Sequence, residues 1–168
     1  MSIATIVATL EKLEKMHKSL FELALAKTEH IKQGDMEKLD QLIKNEQAHV
    51  AAIDKLEQQR QVMVTDYLRA KGIAFTDTPS VAEVIEVAQA SEPTETLVAV
   101  RERLVELLGK LKAQNDLNQK MVMNSLQVIN ITLDAMRPQP RSEQFNYSGA
   151  EVRGQSEIAR RSFNEFKA

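Results

Sequence analysis

Residues 93–136 read PTETLVAVRERLVELLGKLKAQNDLNQKMVMNSLQVINITLDAM, and this stretch decides the fold class. Leu97, Leu104, Leu107, Leu111, Val122, Leu126, Ile129, Leu133 and Met136 recur mainly at intervals of three, four and seven residues, the period of one helix face. Midway lies a polar cluster, Gln114-Asn115-Asp116-Leu117-Asn118-Gln119. Arg137-Pro138-Gln139-Pro140 then ends the helix, because proline lacks an N–H and disfavours helix in the residue before it. At 1.5 Å per residue the stretch spans roughly 65 Å.

The segments upstream fit the same class. Ser2 can cap a helix running to about Ile31, with a stripe at Ile3, Ile6, Leu10, Leu13, Leu20 and Ala24. Gly34 is a stop signal and Asp35 a new cap. The second helix carries Leu39, Leu42, Ile53, Leu56, Met63 and Tyr67 and stops at Gly72. So short a turn between two long helices makes them antiparallel. Ser80 and Glu83 form a capping-box pattern ahead of a short helix through Val81, Val84, Ile85 and Ala88. The first two long helices span roughly 43 and 54 Å, so the last one outreaches the first. No window alternates apolar and polar residues long enough for a strand. The expected fold is all-α: an elongated antiparallel helical bundle or coiled coil of three long helices and one short one.

Residues 1–137 read as the bundle domain and 138–168 as a flexible tail. The tail is rich in Pro, Ser, Gln and Gly to about Gln155, with Phe145 and Tyr147. Residues 156–167 can form a short amphipathic helix bearing Ile158, Phe163 and Phe166. Those three anchors offer about 5–9 kcal/mol of burial, against an ordering cost of roughly 11 kcal/mol or more. This segment is therefore expected to order only on docking.

Composition narrows the function. With no Cys there is no disulfide, thiolate metal site or catalytic thiol. The tail from Arg137 onward has six Lys/Arg and four Asp/Glu, so it is net +2 while the remainder is −4. An acidic body argues against nucleic acid as a partner. No segment has the roughly 18 apolar residues of a spanning helix, and no signal peptide is evident, so a cytoplasmic protein without membrane insertion is expected. No nucleotide loop or nucleophilic triad is present, so neither enzyme chemistry nor a cofactor is expected.

Two constellations carry alternatives. Glu14-x-x-His17 and Glu46-x-x-His49 sit one on each helix of the hairpin, the spacing used by carboxylate-bridged metal bundles. Glu14 lies off the apolar stripe, the same residues also suit a polar layer or a solvated face, and Glu102 and Glu106 are the nearest further ligands the other helices supply. Asn115, Asn118 and Gln119 can fix register on an apolar seam or hydrogen-bond a guest helix. Met121, Met123 and Met136 suit either core filling or an adaptable surface.

The order of several short motifs resembles the FlgN family of bacterial flagellar export chaperones. They are Lys32-Gln33-Gly34-Asp35-Met36-Glu37-Lys38-Leu39, then Asn45-Glu46-Gln47 and Leu56-Glu57-Gln58-Gln59-Arg60. Asn115-x-x-Asn118-Gln119, Ser125-Leu126, the run Ile129 to Met136, and Tyr147-Ser148-Gly149 complete the series. The resemblance implies a cytoplasmic helical protein that holds the C-terminal helices of hook-associated proteins from the hook–filament junction. It would prevent their premature association and deliver them to the flagellar type III export apparatus. The tail is longer and richer in phenylalanine near its end than the family pattern.

Together these readings point to helix-in-groove binding. The expected surface comprises Asn118, Val122, Leu126, Ile129, Leu133 and Met136, joined by Phe145, Tyr147, Ile158, Phe163 and Phe166 of the tail. The competing reading is a homo-oligomeric coiled-coil adaptor. A homodimer stays open, as does direct contact with the export ATPase complex or export gate.

Overall fold

A computed structural model describes residues 2–75 and 78–137. Among them are four α-helices and no strand: α1 (Ile3–Gln33), α2 (Met36–Ala70), α3 (Val81–Ala88) and α4 (Glu95–Met136). The all-α expectation of three long helices and one short one is met. The chain divides into two units at Asn130/Ile131. The first holds α1 to α3 and most of α4; the described part of the second is the helical run from Ile131 to Met136 and Arg137.

The helix ends are set locally. The Ser2 hydroxyl accepts from the Thr5 N–H at the start of α1. Gly34 takes φ 68°, which only glycine adopts without strain, and its N–H and that of Asp35 close the last carbonyls of α1. Asp35 then accepts from the Lys38 N–H at 3.1 Å, so one residue follows the stop of α1 and caps α2. Ser80 and Glu83 form the full reciprocal capping box of α3.

Three cross-helix contacts make α1 and α2 antiparallel. Thr9 donates to the Met63 sulfur at 3.2 Å, Ser19 meets His49 at 2.8 Å, and Lys27 meets Glu46 at 2.7 Å. The core is concentrated at the end of the hairpin remote from its turn. There Ile6, Leu10 and Leu13 of α1 pack with Val64, Tyr67 and Leu68 of α2. Val84 and Ala88 of α3 and Leu97, Val100 and Leu104 of α4 complete it. Each of its fully buried aliphatic side chains contributes about 1.5–3 kcal/mol relative to exposure. Near the hairpin turn the burial is thinner, with Ala24, Thr28, Leu42, Leu111 and Asn118 its buried members.

Candidate docking surface

The direction and register of α4 follow from two polar contacts. Arg103 forks onto Glu14, Nε to Oε1 at 3.1 Å and Nη2 to Oε2 at 3.0 Å. Fourteen residues further along α1, the Thr28 hydroxyl donates to Oδ1 of the Asn118 side chain at 2.5 Å. Partner numbers rise together, so α4 runs parallel to α1, offset by 89 to 90 residues. In that register Gln33, the last residue of α1, stands level with about Val122 or Met123 of α4. The turns of α4 that follow, up to Asn130, extend past the hairpin turn.

Asn118 itself is 3% exposed. Its amide N–H donates to the Ala24 carbonyl at 2.7 Å, its oxygen accepts from Thr28, and Gln114 donates to the Thr28 hydroxyl at 2.6 Å. Such a satisfied buried network selects one register, since a slip would leave amides unpaired in the core. Of the two roles left open by the sequence, Asn118 occupies the register position, and it is not on the exposed stripe. Thr28 was not singled out from the sequence, although its place one turn after Ala24 on the apolar line of α1 is a readable signal.

Past Asn118, α4 changes character. Val122 is 37% exposed, Leu126 and Ile129 are both 52% exposed, and they follow one another at intervals of four and three residues on one face. Leu133 and Met136, in the second unit, are exposed as well. From Met121 to Leu133 the sequence has no charged residue. Exposed, uncharged and periodically apolar, such a stripe is a candidate surface for another apolar element. Phe145, Tyr147, Ile158, Phe163 and Phe166 lie outside the described residues.

The two Glu-x-x-His pairs have partners within the chain. Glu14, read from the sequence as lying off the apolar stripe, is only 7% exposed because it faces α4. Hydrogen bonds from Arg103 and then Lys18 hold its pKa down to about 2, against the desolvation that opposes them. His17 Nδ1 is 2.8 Å from the Leu13 carbonyl, and His49 Nδ1 is 2.8 Å from that of Asn45, so each imidazole donates to its own helix. Glu46 is the partner of Lys27. Among the described residues no three His, Asp or Glu side chains are grouped as ligands for a metal ion. Among them, too, no helix is long and apolar enough to cross a membrane.

Comparison with known proteins agrees with this architecture. The family model described as FlgN protein matches residues 1–151. The chain is 30% identical over 148 residues to the uncharacterized protein YvyG of Bacillus subtilis (strain 168), covering 88% of each chain. No solved structure matches it significantly. A match over nine-tenths of the length, on an all-helical chain with an exposed apolar helix end, places this protein in the FlgN family of flagellar export chaperones.

Proposed function

We propose that the chain binds the C-terminal helical regions of flagellar hook-associated proteins in the cytoplasm, prevents their premature assembly and delivers them to the export apparatus. The observation that carries this reading is the stripe Val122, Leu126 and Ile129, exposed on turns of α4 that outrun α1. An amphipathic guest helix suits it, since anchors at three- and four-residue spacing match the guest's own period. Leu133 and Met136 extend the stripe in sequence register, and the tail residues Phe145, Tyr147, Ile158, Phe163 and Phe166 join the guest. Delivery involves the export ATPase complex or the export gate. Family membership supports the chaperone role, and FlgN is a chaperone family rather than an enzyme family.

Calorimetric titration with the C-terminal helical segment of a hook-associated protein tests the reading. Tight binding by the full chain, weakened in a chain truncated after Met136, is the expected result. Equal binding by both removes the tail from the site. Absence of binding by the full chain, with concentration-dependent self-association in its place, returns the homo-oligomeric coiled-coil adaptor.

A further inference from the structure

We propose that the exposed end of α4 docks as the middle helix of three, between two helices of one partner. The partner's identity rests on the chaperone reading above, while the geometry rests on a second set of residues. Leu97, Leu104, Leu111 and Asn118, seven residues apart, form the buried line of α4 toward α1. Continued at the same interval, that line becomes Ser125 and Thr132. The apolar residues do not stay on it; they divide to either side.

One stripe is Val122, Leu126 and Ile129. The other is Leu117, Met121 and Val128, with Leu117 47% and Val128 62% exposed, as open as the first. At about 100° per residue the two stripes centre roughly 130° apart around the helix. Leu133 and Met136 continue the first in sequence register, and Ile131 and Ala135 the second. A single guest helix covers one apolar stripe about 100° wide. It would leave the other in water.

The shortage of charge points the same way. A helix with one solvated side normally carries charges there, but Met121 to Leu133 has none. A second copy of α4 presents one helix and would cover one stripe on each chain. The occupant that covers both is a partner presenting two amphipathic helices with apolar seams and uncharged flanks, because a charge buried against this surface would find no counter-ion.

The test titrates the full chain with a hook-associated protein's C-terminal helical segment, used singly and as two copies joined by a flexible Gly/Ser linker of about 20 residues. The single segment is expected to bind two per chain. The tandem is expected to bind one per chain, roughly 100-fold tighter through its effective concentration. In Leu117→Asp/Val128→Asp, whose sites are exposed, one single segment still binds and the tandem gain disappears, with helicity unchanged by circular dichroism. One segment per chain, no tandem gain beyond about the statistical factor of two and no effect of the double change overturn this inference but leave the Val122–Ile129 site standing. Failure of both probes to bind the full chain overturns the chaperone reading as well. Two segments on a chain truncated after Arg137 but one on the full chain would assign the second stripe to the tail. A concentration-dependent dimer abolished by the double change would assign it to a second copy; either result overturns the proposal.

Discussion

The two halves of α4 use similar residues to opposite ends. In the first, Leu97 and Val100 are buried in the core that α4 shares with α1, α2 and α3. In the second, Leu126 and Ile129 have half their surface in water. What separates them is register and not composition. The Glu14–Arg103 and Thr28–Asn118 contacts set α4 so that α1 ends near Val122 or Met123, and the turns from there to Asn130 are presented rather than packed. On the proposed function, stability and recognition fall to different segments of one helix, and mutations should separate them cleanly.

The largest expected effect lies in the packed half. Leu68→Ala or Leu10→Ala should lower unfolding stability by about 2–5 kcal/mol in denaturant titration, through lost burial plus a residual cavity. If either costs less than Leu126→Ala, the division between the halves is wrong. Next comes the junction. Asn118→Ala removes the partners of Ala24 and Thr28 and should cost about 1–3 kcal/mol, together with weaker protection of the middle of α4 in hydrogen exchange.

The ion pair follows. Glu14 has its pKa depressed to about 2 in the folded chain. Its stabilisation is therefore fully present above the ordinary carboxylate range and is lost as pH falls through that range toward 2. Arg103 is half exposed, so solvent screens the pair and its contribution is smaller than the depressed pKa alone would suggest. Glu14→Gln should flatten the acid side of the stability–pH profile, and an unchanged profile would show the pair to be idle. Gly34→Ala adds only the strain of a positive φ, since open space surrounds the Cβ it would add; about 1 kcal/mol is expected in thermal unfolding. Smallest of all is Leu126→Ala, expected within about 0.5 kcal/mol of wild type.

Much of this was legible because it is local. Ser2, Gly34, Asp35 and the Ser80/Glu83 box mark helix ends by hydrogen bonds that reach no further than five residues. The antiparallel hairpin followed from the brevity of its turn. The parallel pairing of α1 with α4 was not legible, because it depends on contacts about ninety residues apart. Apolar spacing alone put Glu14 off the stripe of α1; with Arg103 of α4 against it, that position is buried. Asn118 kept two readings for the same reason, since an amide on a seam looks alike whether its partner is the chain itself or a guest. The stripe from Val122 to Met136 was legible as a pattern. Its exposure became visible only once the end of α1 was located.

The central claim is that the overhanging end of α4 is the docking surface, and it is tested most directly by Leu126→Asp/Ile129→Asp. The measurement is the affinity of the variant for the C-terminal helical segment of a hook-associated protein, with helicity and midpoint of unfolding followed in parallel. The account requires binding to be lost while the packed half keeps its helicity and stability. Binding that survives the double change, in a protein still folded, would place the site elsewhere on the helices and contradict it.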